Sequence, residues 1–194
     1  MLRRALLALL SLTSLVRALA APIQEEATSP SINIRTTQTC YASETSQRVC
    51  YDPPNSTPQG ISPGDVTLIA LALRSYGQQT KAGQLFSMAA VDAPNCAEWS
   101  LYLFGSALVT AKHIGGATVN SSVLFTDIAN TIDGGVGATD DQKAAALVGC
   151  GASGGSFGVQ FDANNPAYKG AGYPAGFTPE GILIKVVSSR VQGS

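Results

Sequence analysis

The chain has 194 residues, of which 45% are hydrophobic and 13% charged. Globular chains average about 25% charged. Disorder requires high charge with low hydrophobicity, so this composition excludes an intrinsically disordered protein. The formal net charge is −1, and the chain lacks the basic patch with which nucleic-acid-binding proteins neutralise phosphates.

Residues 1–20 read as a signal peptide. Leu2-Arg3-Arg4 supplies a positive start, Ala5 to Val16 an apolar stretch too short to span a bilayer comfortably, and Ala18-Leu19-Ala20 the small residues of a cleavage site. Cleavage after Ala20 removes Arg3, Arg4 and Arg17, leaving nine basic residues against 13 acidic ones. The remainder is enough for one domain burying roughly 70% of its unfolded surface. No second apolar segment of membrane length follows, and Arg190 to Ser194 is no lipid-anchor tail. The expected location is extracellular, with no membrane association after cleavage.

Residues 21–38 are polar, with Pro22 and Pro30, and read as a flexible leader; 39–194 form the single domain. Thr39 to Ala42 and Arg48 to Tyr51 are expected to pair as a hairpin. Asp52 to Gly60 holds three prolines and is a surface loop. Ser62-Pro63-Gly64-Asp65 is a helix start, Ser capping and Pro fitting the first turn. The helix runs to Gly77 and, being nearly all apolar from Val66 to Leu73, is expected to be buried on most sides; a buried strand at Leu68–Leu73 is the rival reading.

Leu85 to Val91 reads as a strand, and Leu101 to Ile114 as a longer covered strand with a bulge at Gly105-Ser106. Asn120 or Ser121 caps a helix over Ser122–Ile132, with Leu124, Phe125, Ile128 and Ile132 on one stripe. Thr139 and Gln142 form a capping box for a further helix. Gly155–Asp162 and Gly181–Ser188 are strands, the second placing Ile182, Ile184 and Val186 on one face. Helices and strands do not alternate regularly. The fold class is therefore α+β, a mostly antiparallel sheet with about three helices packed on it.

The mature chain keeps four cysteines, Cys40, Cys50, Cys96 and Cys150. An even count in an exported chain points to two disulfides, and four cysteines allow three pairings. The favoured one is Cys40–Cys50, whose short separation suits a local hairpin, with Cys96–Cys150. Asn55-Ser-Thr and Asn120-Ser-Ser are N-glycosylation sequons, with Pro58 following the first.

The chemistry-bearing residues are few. Gly151-Ala-Ser153-Gly-Gly155 matches the nucleophile-elbow pattern, but an elbow needs a strand before the serine and a helix after it, and here the expected order is the reverse. The single histidine, His113, could serve as a general base with Glu98 or Asp127 in a hydrolase. A hydrogen-bonded structural role is the commoner fate of a lone histidine. Asp127 and Asp133 are six apart on the expected helix and do not share a face. The cysteine spacing does not suit a metal, and Gly149 to Gly155 lacks a phosphate loop's lysine, so no metal or cofactor is implied. Tyr168 and Tyr173 fall in a Gly/Pro-rich loop, Asn164 to Pro179, a candidate glycan or protein contact for which loop packing is the simpler account.

At Cys96-Ala-Glu98-Trp99, Ala111-Lys-His113, Asp127 to Gly135 and Gly149-Cys150 the chain resembles small secreted, disulfide-bridged proteins of filamentous fungi, many treated as effector candidates. The resemblance covers roughly residues 40–187. It implies a secreted, non-enzymatic interaction protein acting on a host or competitor, and no catalytic residue. The partner expected is an extracellular protein or a wall glycan. A secreted hydrolase and a cell-wall carbohydrate-binding protein are the alternatives.

Overall fold

Period-two alternation along four strands sorts the side chains of this chain onto two faces of one sheet. The computed structural model describes residues 36–37, 44–81, 83–94 and 97–191. In chain order the elements are β1 (Thr36–Thr37), β2 (Val49–Cys50), α1 (Pro63–Gly77), β3 (Leu85–Met88), β4 (Glu98–Phe104), β5 (Ala107–His113), β6 (Asn120–Leu124), α2 (Phe125–Asp133), α3 (Asp140–Ala145), β7 (Gly155–Gly158), β8 (Phe177–Thr178) and β9 (Ile182–Ser188). A 3₁₀ segment, Leu147–Ser153, joins α3 to β7.

The main sheet has the order β1-β4-β5-β9-β7-β2, every pair antiparallel. A second sheet has the order β3-β6-β8, with β3 antiparallel and β8 parallel to β6. This is the expected α+β class.

The inner face of the main sheet is apolar. Val109, Ala111, Ile184 and Val186 sit opposite one another in register and pack against Val66, Ile69, Ala70 and Leu73 of α1 and Ile128, Ala129 and Ile132 of α2. Each such Leu, Ile or Val contributes roughly 1.5–3 kcal/mol by leaving water. The helices are tied together by Arg74. Its guanidinium donates to both oxygens of Asp133, at 2.9 and 2.6 Å, and to Asn130 Oδ1 at 3.1 Å.

Several expectations are corrected. The segment around Val49–Cys50 pairs with β7; residues 39–42, its expected hairpin partner, lie outside the described residues. Gly155 makes this pairing feasible: a Cβ there would lie 2.5 Å from the Val49 carbonyl oxygen and 3.0 Å from Cys150 Sγ. The covered strand from Leu101 to Ile114 is two strands, β4 and β5, joined by the two-residue turn Gly105-Ser106. Gly105 there takes φ +54°, a conformation side chains disfavour. The irregularity of β4 lies between Ser100 and Tyr102 instead.

Helix α1 forms as expected and the strand reading fails, but Leu68 and Leu71 are about half exposed. Ser62 makes no side-chain cap; its N–H donates to Ser106 Oγ. Asn120 and Ser121 lie in β6, so α2 begins at Phe125 without them. The capping box is present: Gln142 N–H donates to Thr139 Oγ1, and Thr139 N–H to Gln142 Oε1.

The disulfide is also corrected. Cys50 bonds Cys150, their Cα atoms 5.3 Å apart, so neither favoured pairing holds. The β2–β7 pairing brings Cys50 beside Gly155, five residues past Cys150, and sheet order overrides sequence proximity. Cys40 and Cys96 lie outside the described residues.

Candidate binding cleft

The strand that places His113 also separates it from its supposed partners. His113 is at the end of β5, on the inner face, opposite Ile182, and is fully buried. Its Nε2 lies 3.0 Å from the Val119 carbonyl oxygen, which can only accept, so Nε2 carries the proton. Its Nδ1 is buried without a partner.

Glu98 pairs in register with Lys112 and so points to the outer face. Asp127, the third residue of α2, is also elsewhere: its Oδ2 accepts from the Tyr168 hydroxyl at 2.5 Å. Burial pushes the Asp127 carboxyl above the usual aspartate range, with Asp162 adding to the rise and the Tyr168 bond opposing it. The Tyr168 oxygen in turn accepts from the Leu124 N–H at 3.0 Å. Burial, then the bond to Asp127, raises the Tyr168 pKa. Tyr173 donates to the Ser122 carbonyl at 2.8 Å, and burial pushes its pKa up to about 12. The tyrosine loop is thus packed down, as the simpler account expects.

Asp133 is held by Arg74. Ser153 ends the 3₁₀ segment, with a helix before it and β7 after, and donates to Asp52 Oδ1 at 2.5 Å. The elbow context is absent.

The outer face carries a feature the sequence reading missed. Glu98 from β4, Thr110 and Lys112 from β5, and Lys185 from β9 meet there, joined by Glu44. Lys185 Nζ lies 3.0 Å from Glu98 Oε2 and 3.3 Å from Glu44 Oε1; Lys112 Nζ lies 2.6 Å from Glu44 Oε2. Thr110 donates to Glu98 Oε1 at 2.6 Å. Lys185 is 1% exposed, Lys112 3% and Glu98 5%. One legible signal existed, the single lysine inside Ile-Leu-Ile-Lys-Val-Val; the Glu98↔Lys112 pairing was not legible, because it depends on the irregularity between Ser100 and Tyr102.

Beside this network a cleft of about 490 Å³ opens on the outer face. Ser156, Lys185 and Val187 form its floor; Glu44, Thr45 and the stretch from Val49 to Gln59 wall it. The wall holds Asp52, with one oxygen on Ser153, and Asn55, an exposed side chain that makes no hydrogen bond among the described residues. Gln59 is spent internally, donating to the Thr57 carbonyl and accepting from the Ser188 N–H. The other sequon residue, Asn120, sits in β6 with its Oδ1 accepting from the Ala90 N–H at 2.9 Å.

Among the described residues no three His, Cys, Asp or Glu side chains are grouped to hold a metal ion. No described helix is long and apolar enough to cross a membrane. Comparison with protein-family models, curated proteins and solved structures gives no match for this chain.

Proposed function

We propose that this is an exported, non-catalytic binding protein of the kind its likeness to small secreted fungal proteins implies. In this reading it acts on a host or competitor through an extracellular protein or a wall glycan, and the outer-face cleft is where it binds. One observation carries the non-catalytic part. His113 and Glu98 occupy opposite faces of the sheet, and Asp127 is bound to Tyr168, so the acid–base groups do not converge. General acid–base work needs them within hydrogen-bond reach of one substrate.

Export is supported by the pattern of residues 1–20 and by the Cys50–Cys150 bridge, which suits an oxidising compartment. The exposed turn at Asn55 fits glycan attachment better than the strand position of Asn120.

The test has two arms. The secreted protein, whose N-terminus should read Ala21, is mixed with host extracellular fluid and with insoluble wall polysaccharide. Specific retention that survives His113→Ala and Ser153→Ala is expected. Turnover of an ester, peptide or glycoside substrate that disappears in His113→Ala, with melting unchanged, would establish the hydrolase instead.

A further inference from the structure

We infer that the cleft takes a neutral, hydroxyl-rich saccharide, held by Asp52 and Asn55; this rests on the binding-protein reading above. The size is suitable, since small-molecule sites run to about 300–1,000 Å³ and this cleft is about 490 Å³. The floor offers no unbalanced charge: Lys185 lies between the carboxylates of Glu98 and Glu44, and Glu44 also meets Lys112.

What remains for a ligand is on the wall. Asp52 Oδ1 takes the Ser153 hydroxyl, which leaves Oδ2 as a charged acceptor. The Asn55 amide offers two donors and an acceptor, none engaged among the described residues. A carboxylate oxygen and a carboxamide lining one cleft suit sugar hydroxyls, each of which both donates and accepts. Charge-assisted bonds of this kind are the stronger ones. An acidic ligand is disfavoured, because Asp52 borders the cleft and the mature chain has an excess of acidic residues. A glycan attached to Asn55 would occupy the same amide nitrogen. Asn55 therefore serves either as acceptor of a glycan or as ligand-binding group in any one molecule.

The experiment is calorimetric titration of the full secreted protein with three probes: a β-1,3-linked glucose hexamer, a β-1,4-linked N-acetylglucosamine hexamer and a polygalacturonate oligomer. A Thr57→Ala protein, which loses the sequon and keeps Asn55, is titrated alongside. At least one neutral hexamer should bind, more tightly to the Thr57→Ala protein wherever Asn55 is occupied, and the polyuronate should not. Asn55→Ala and Asp52→Ala should each weaken binding about tenfold or more. Asn55→Ala removes no bond among the described residues, so its effect does not depend on altered folding. No binding of either neutral hexamer, preference for the polyuronate, or affinity unchanged in Asn55→Ala would overturn the inference. Retention of an extracellular protein that ignores all three probes would defeat the saccharide while leaving the binding-protein reading standing.

Discussion

Arg74 carries the most concentrated polar interaction in the core. It is buried between α1 and α2, and three of its contacts run to Asp133 and Asn130. Removing one member of a buried pair strands the other charge, at about 3–5 kcal/mol. Asp133→Ala should therefore lower the unfolding free energy by about that amount in a urea titration, whereas Arg74→Met with Asp133→Leu should lose much less. Asp65 and Asp127 give opposite pH signatures. The Ser106 hydroxyl, then the Ser106 N–H, hold Asp65 below the ordinary 3.8. Its contribution is present above 3.8 and lost as pH falls through the folded-state value. Burial holds Asp127 above 3.8. The native state then keeps that proton more tightly than the unfolded chain, so stability from this group is complete below 3.8 and declines as pH rises through the folded-state value. Melting curves between pH 2 and 7 should show a shallower acid loss in Asp65→Asn and a removed decline above 3.8 in Asp127→Asn.

At the scale of elements, the disulfide decides which cysteine matters. Cys50 and Cys150 are separated by 100 residues, and a loop of that size corresponds to about 4.7 kcal/mol in the chain-entropy treatment. Cys50→Ser should thus be severely destabilising, although local spacing alone makes Cys50 the lesser site. Parity then leaves Cys40 and Cys96. Non-reducing peptide mapping should recover Cys40–Cys96 with Cys50–Cys150; two alkylatable thiols in the secreted protein would refute that pairing.

The same elements show what local sequence can carry. The capping box at Thr139, Pro63 at the start of α1 and the alternation of Ile182, Ile184 and Val186 are short-range signals, and each appears where expected. Asn120 looked like a helix cap because Asn favours caps, yet β3 and β8 on either side of β6 hold it in a strand. The candidate site fared likewise. That Glu98 and His113 sit on opposite faces follows from the Glu98↔Lys112 register: the turn alone would pair Glu98 with His113, and the irregularity between Ser100 and Tyr102 shifts the partner by one residue, which no local pattern announces. The cleft was not legible, because its floor comes from β7 and β9 while its wall comes from residues around 50, and no local pattern joins them.

For the whole molecule, Glu44 is the point where the N-terminal part of the domain meets the middle of the sheet. Thr37 lies at one edge beside β4, Val49 at the other beside β7, and Glu44 between them contacts lysines of β5 and β9. The two glutamates therefore have different duties. Glu98 sits within the sheet, and its loss leaves Lys185 buried beside one fewer carboxylate. Glu98→Gln should cost about 3–5 kcal/mol of global stability. Glu44 is the more exposed of the two and belongs to the cleft wall. Its loss should loosen that wall before it unfolds the sheet. Hydrogen exchange on Glu44→Gln should accelerate first in residues 44–59 and leave β5 and β9 protected, since local openings cost less than the global transition. Uniform acceleration across the sheet would mean that Glu44 supports the whole fold equally, and that the cleft wall has no independent motion.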